Sequence, residues 1–265
     1  MSATNPKQRP AQSAEPMAVA TELTSHPEKQ LVYSSPSIHE RRRRILREAR
    51  KLLAEDGLEK FSIRKLCKRA DVAQRTLYNA FYSRDRIMAL AIREAYEDVN
   101  KYMLYRTSAE TIEGIVNRLI SVNTRNLRAR NYTRAVAAIF FSNAASHDIW
   151  VAMREMVDIN LRQWLDRLVR EDLLEDWARA DELANEIANI EYAIINDWGQ
   201  GRIPDDDYVR RLITGVLTHV VGAIKGKDKE TAISMLRSIR ETGKLPEFPN
   251  PVYAPPKKTD DADEE

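Results

Sequence analysis

The stretch from Phe61 to Arg84, FSIRKLCKRADVAQRTLYNAFYSR, constrains the fold most, because its pattern asks for two short helices joined by a tight turn. Ser62 is a strong N-cap residue, and Phe61 and Leu66 stand at the spacing of a hydrophobic staple, so a helix begins at about Ile63. Ile63, Leu66, Cys67 and Ala70 recur on one apolar face and leave Arg64, Lys65, Lys68 and Arg69 to solvent or phosphate. Asp71-Val72-Ala73 breaks the pattern. Gln74 to Phe81 then makes a second short helix, pinned by Leu77 and Phe81, with Gln74, Arg75, Thr76, Tyr78 and Asn79 turned outward. This is the layout of a helix-turn-helix DNA reader.

Charge follows the same division. Between Arg41 and Arg86 stand 15 Lys/Arg against 6 Asp/Glu, so a chain of net charge +2 holds a surplus of nine positive charges here and a deficit of seven elsewhere. Cations concentrated on one part release counterions from a phosphate backbone, while the acidic remainder stays off the nucleic acid. Arg41, Arg42, Arg43 and Arg44 fall in the first turns of a preceding helix, Ile38 to Asp56, where positive charge opposes the helix dipole and a phosphate or a narrow minor groove would offset the cost. That helix opens on Ser37-Ile38-His39-Glu40, which has the form of a capping box, and stops at Gly57.

Three segments together resemble the N-terminal domain of tetracycline-repressor (TetR) family regulators: Gly57 to Ser62, TLYNAF at Thr76 to Phe81, and Ser83-Arg84-Asp85-Arg86 opening a longer helix. The motif spans Ile38 to about Ile92, roughly a fifth of the chain. It departs from the family where Asp71 replaces a frequent Gly, Arg75 a frequent small residue and Arg84 the usual Lys. The resemblance implies an all-α protein with a three-helix, homeodomain-like head and a helical body that binds an effector and dimerises. It further implies a homodimeric repressor on a pseudo-palindromic DNA operator, released by a small molecule. Gln74, Arg75, Thr76 and Asn79 are expected at base edges. Tyr78 and Arg84 are expected on phosphates, with backbone contacts from Ser62, Arg64 and the Arg41 to Arg44 cluster. The alternative is a helical interaction module, or a corepressor-dependent regulator with no stand-alone operator binding.

The organisation expected is an unstructured arm over 1–36, the head over 37–83, the helical body over 84–242, and an unstructured proline-containing acidic tail over 243–265. A helix over 84–105 carries Ile87, Ala91, Ala95, Val99 and Met103 in line and would connect head to body. Further amphipathic segments fall at 109–129, 132–145, 148–172, 179–199, 206–225 and 229–241. Leu212, Val216 and Val220 on the segment 206–225 belong to a stripe wider than one packing partner needs, its predecessor offers Leu183, Ile187, Ile194 and Trp198, and the pair is expected to build a four-helix dimer interface with a second copy. Tyr102, Phe140, Phe141, Trp150, Met153, Met156 and Trp164 offer surface for an apolar effector pocket, with Asn143, His147 and Asn160 as polar anchors.

Catalysis is not indicated. Ser62-Ile63-Arg64-Lys65 has a Ser-x-x-Lys spacing, but Ser62 serves as a cap and the companion motifs are missing. Four scattered histidines and the single Cys67 suggest no metal site, disulfide or cofactor. No apolar run reaches the length of a membrane span or a secretory signal, so the expected location is the cytoplasm and the Asn131-Tyr132-Thr133 sequon is chance.

Overall fold

The computed structural model describes residues 36–254. Among them run ten α-helices: α1 (Pro36–Lys60), α2 (Ile63–Ala70), α3 (Gln74–Phe81), α4 (Arg84–Asn100), α5 (Ile112–Arg128), α6 (Arg130–Phe140), α7 (His147–Arg170), α8 (Ala180–Gly199), α9 (Asp205–Val221) and α10 (Gly226–Thr242). A two-residue strand, β1 (Met103–Leu104), pairs antiparallel with β2 (Val252–Tyr253). The expected all-α class and head-plus-body layout are what the chain adopts. The arm lies outside the described residues, apart from Pro36, as do 255–265 of the tail and the side chain of Val99.

Local signals explain the head. α1 begins at Pro36, whose fixed φ and missing N–H suit a first helical position, so Ser37 sits inside the helix instead of capping it. Gly57, at φ 71 and ψ −178, breaks the regular helix where a side chain would be strained. Ser62 is the N-cap of α2, its hydroxyl accepting the Lys65 N–H at 3.4 Å. Asp71 ends α2 in the left-handed conformation, φ 50 and ψ 58, with its N–H donated to the Cys67 carbonyl. Asp is among the few non-glycine residues that tolerate this region, so the departure from Gly at this position is accommodated by the backbone. Leu66, Leu77 and Phe81 are fully buried between α1, α2 and α3.

α1 and α4 join the head to the body. One continuous apolar cluster runs from Ile45, Leu52 and Phe81 in the head through Ile87 and Ile92 on α4 to Met153, Ile187 and Leu212 in the body. α4 packs on α1 and α7, α6 packs on α1 and α8, and α9 is enclosed by α5, α8 and α10. Among the described residues, no helix is long and apolar enough to cross a membrane.

Two expectations are corrected. The helix expected to run to residue 105 ends at Asn100, and the chain turns into β1. The segment after Gly243, expected to stay unstructured, returns to the body: Leu245 and Phe248 pack against the core, the Ala254 N–H donates to the Tyr102 carbonyl at 2.9 Å, and the Tyr102 and Tyr253 rings meet edge to face. Its prolines at 246, 249 and 251 fall outside the ladder, where a missing N–H costs nothing.

Candidate nucleic-acid interface and effector cavity

α3 presents its polar side to solvent. Burial of Leu77 and Phe81 fixes the rotation of the helix, so Gln74, Arg75, Tyr78 and Asn79 are exposed on the opposite face and Thr76 is half-buried at its edge. Arg75 makes no ion pair among the described residues and is available to an outside partner.

The other expected DNA contacts divide. Arg41, Arg43, Arg44 and Arg64 are exposed. Arg42 is half-buried, its guanidinium 4.9 Å from the centre of the Phe81 ring, so it ties α1 to the end of α3 and sets the arginine cluster beside that helix. On α2, Lys65 pairs with Asp56 at 2.9 Å, and Arg69 bridges Glu48 at 2.9 Å and Glu55 at 2.6 Å. Half of the basic face read from the sequence is therefore held by carboxylates of α1. Arg84 turns inward: it donates to the Leu58 carbonyl at 2.5 Å and lies over the Phe61 ring. α1 ends at Lys60, so that carbonyl has no partner four residues on within the helix; it accepts the Phe61 N–H at 3.3 Å and, as a second donor, Arg84. Ser83 caps α4 by accepting the Arg86 N–H at 3.0 Å. Between them Tyr82 closes a γ-turn, φ 67 and ψ −45, with the Ser83 N–H on the Phe81 carbonyl at 2.8 Å.

In the body, a cavity of about 420 Å³ opens between α4, α5, α6, α7 and α8. Of the residues expected to line it, only Met156 does. Trp164 and Met153 are fully buried packing residues; Trp164 Nε1 donates to Asp228 at 2.6 Å, and the Met153 carbonyl accepts the Tyr192 hydroxyl at 3.0 Å. Phe140 stacks on Tyr192 from outside the lining, Phe141 is exposed, and Trp150 lies near the surface against His147 and Arg154. Tyr102 belongs to the ribbon contact with Tyr253. Of the three proposed anchors, Asn143 and His147 are exposed and absent from the lining. Asn160, also off the lining, reaches it indirectly as the hydrogen-bond donor to Tyr96.

The lining instead combines small and branched apolar side chains with polar groups that the aromatic pattern did not reveal: Tyr96, Arg125, Tyr132, Thr133, Glu191 and Tyr192. Glu191 is buried and accepts the Asn123 Nδ2 at 3.0 Å; burial pushes its carboxyl above the usual range, with the Asn123 bond opposing. Burial likewise holds the Tyr96, Tyr132 and Tyr192 hydroxyls protonated. The signal that could have found this site was polar residues at inward positions: Asn123 and Arg125 on α5 and Glu191 on α8 interrupt otherwise apolar stripes.

The expected dimer stripe is already used within one chain. Leu183, Ile187, Trp198, Leu212, Val216 and Val220 are buried within the chain, where α8 packs on α6, α7 and α9 and α9 on α5, α8 and α10, and only Ile194 is half-buried. The stripe is wide because α9 has three neighbours in its own chain. Among the described residues, no group of three or more His, Cys, Asp or Glu could hold a metal ion.

Residues 45–91 match the family model for bacterial regulatory proteins of the tetR family. No curated protein matches the chain significantly. Solved structures share its fold. A TetR transcriptional regulator from Rhodococcus sp. RHA1 is 19% identical with a TM-score of 0.52, covering 69% of this chain and 97% of its own. Salmonella enterica GusR is 17% identical with a TM-score of 0.50, covering 70% and 96%. Thermus thermophilus FadR, a TetR-family repressor solved in complex with lauroyl-CoA, is 15% identical with a TM-score of 0.50, covering 70% and 96%. The match lies on the segment whose caps, turn and buried leucine and phenylalanine build the reading head, so this segment is a tetR-family DNA-binding domain, and the chain shares its fold with solved TetR-family regulators.

Proposed function

We propose that the protein is a homodimeric repressor that reads a pseudo-palindromic operator and releases it when a small molecule enters the cavity. The observation that carries the reading is the outward row of α3: Gln74, Arg75 and Asn79 are exposed on a helix whose opposite side is locked into the core. In this reading α3 enters the major groove, with Arg75 placed to pair with a guanine edge. Tyr78, Arg64 and the exposed members of the arginine cluster serve phosphates, as does the Ser62 end of α2. Arg84 acts mainly by holding the α1 to α2 junction. The second copy pairs on the outer sides of α8 and α9, where Ile190 and Ile194 border Gly215 and where Ala193 and Thr218 are exposed. Gly215 leaves room for close approach of helices there.

Two half-sites about 34 to 36 Å apart tolerate little change in the separation of the heads. The cavity walls include α4 and α6, the two body helices on which α1 rests. A ligand that alters their spacing therefore displaces the heads.

The test is a mobility shift on DNA upstream of the protein's own gene and neighbouring operons, with competitor and a salt series. A twofold-symmetric footprint at about 10⁻⁸ M or tighter is expected. Arg75→Ala should cost about 1 to 3 kcal/mol at one base position and relax specificity there. Equal loss on every sequence would remove Arg75 from base reading, and weak salt-labile binding to all fragments would favour a corepressor-dependent regulator or an interaction module.

A further inference from the structure

Building on the reading of the cavity as an effector site, its polar groups specify what kind of molecule fits. Among its lining residues only Arg128 and Ala129, at the end of α5, are exposed, so the cavity opens there. One turn further in stands Arg125, half-buried, with Nη1 buried and without a hydrogen-bond acceptor, and in no ion pair among the described residues. The Tyr132 hydroxyl, also on the wall, is buried without a hydrogen bond. A guanidinium held in this state carries a desolvation cost that an anion would offset, and its planar fork matches a carboxylate.

The sign of the site is decided by counting what faces it. Arg125 and Arg128 are permanent cations, and Glu191 is the single acidic group on the lining. Burial shifts that carboxyl toward its neutral form, and the Asn123 amide already occupies one of its oxygens. The C-terminus of α5 and the N-terminus of α6 meet at the mouth with opposite partial charges, so helix dipoles nearly cancel there and the arginines set the potential. Behind them the wall is apolar, formed by Ile92, Val122, Val136, Val157 and Ile195.

We infer that the cavity takes a small amphipathic carboxylate, its apolar chain or ring lying between α4, α5, α6 and α8 and its anionic head on Arg125, with the Tyr132 hydroxyl as a second donor. Size supports the same class. The cavity, of about 420 Å³, is within the usual range of small-molecule sites. A ten-carbon chain with a carboxylate is of that size class.

The experiment is calorimetric titration of the full chain with decanoate, decanol and decylammonium below their aggregation limits, on the wild type and on Arg125→Gln. Decanoate is expected to bind at least tenfold more tightly than either analogue. Arg125→Gln should lose about tenfold for decanoate and leave decanol unchanged, which shows at the same time that the variant is folded with its cavity intact. Tyr132→Phe should lower decanoate affinity about threefold without lowering the unfolding temperature. Preference for decylammonium or decanol, absence of decanoate binding, or an undiminished decanoate affinity in Arg125→Gln overturns the assignment. Equal loss of all three ligands in that variant overturns it as well. Operator retention measured on the same wild-type samples keeps the two readings apart. Arg125-dependent decanoate binding with unchanged DNA affinity upholds the ligand class and removes effector control. Release of DNA by decylammonium, with decanoate silent, upholds effector control and removes the ligand class.

Discussion

Glu191 should make the protein lose stability as pH rises, and Glu191→Gln should abolish that loss. The carboxyl is buried against the cavity, with one amide from Asn123 at 3.0 Å and the protonated Tyr96 and Tyr192 nearby, so the folded chain holds its proton more tightly than the unfolded chain does. For a carboxyl whose folded pKa is raised, the contribution to stability is complete below the unfolded value, 4.5, and is lost as pH climbs through the folded value. Between those limits the slope of one retained proton is about 1.4 kcal/mol per pH unit. Glutamine keeps the shape and the acceptor for Asn123 and has no proton to lose. Urea denaturation of both proteins from pH 4 to 8 isolates the group, because every other titrating residue cancels in the difference. Glu191→Gln should match the wild type at the acid end, apart from a constant offset, and gain on it at about that slope until the folded pKa is passed. Parallel curves across the whole range would show that Glu191 titrates normally in the folded protein and refute the reasoning from its burial; the two arginines would then face one ionised carboxylate across the cavity.

Three further substitutions test the packing. Asp228 at the start of α10 is buried and receives both Trp164 Nε1, at 2.6 Å, and the Arg167 guanidinium from α7. Asp228→Ala leaves two donors without their acceptor and should cost about 3 to 5 kcal/mol in urea denaturation; a loss under about 1 kcal/mol would mean that water replaces the carboxylate freely. Gly114 on α5 has no room for a side chain, since a Cβ there would stand 1.7 Å from the Ser108 carbonyl oxygen, which the Thr111 hydroxyl also engages at 3.2 Å. Gly114→Ala should cost about 3 kcal/mol or more, read as a fall in unfolding temperature, whereas Gly222→Ala, where the nearest atom is at 3.4 Å, should change it little.

What could be read from the amino acids depended on the range of the signal. The head was legible because its information is local: Ser62 caps three residues ahead, Phe61 and Leu66 bracket the same turn, and Leu77 and Phe81 fix one helix face. The helices of the body were legible as amphipathic segments for the same reason. Which partner each apolar face would meet was not. The stripe on α9 suggested a second copy because its width exceeded one neighbour, but α5, α8 and α10 of the same chain supply three. The cavity was misplaced for a related reason: large aromatic side chains such as Trp164 fill space, and a cavity survives where Ala95, Val122, Thr133 and Val136 leave it unfilled. The inward turn of Arg84 needed knowledge of the Leu58 carbonyl, 26 residues away, which the end of α1 leaves open to a second donor.

The continuity of the core bears on how a ligand could act. A hinge between two independent domains would absorb a displacement in one without moving the other. Here α1 belongs to both halves: it buries Leu52 and Leu53 with the head, packs against α4 and α6, and its Arg50 approaches Glu94 on α4 at 3.7 Å. α4 and α6 also form two walls of the cavity, through Ile92 and Tyr96 on one side and Tyr132 and Val136 on the other. Close-packed interiors have few voids to take up strain, so a change in the separation of these walls is passed to α1. Enlarging the cavity need not release DNA by itself, however. A ligand shifts the heads only by its difference in affinity between the two spacings, and by linkage operator binding must change ligand affinity by the same factor. In the proposed reading Arg125, whose Nη1 is left without an acceptor on the wall, supplies such a difference wherever an anion is held better at one spacing of α5 and its neighbours than at another.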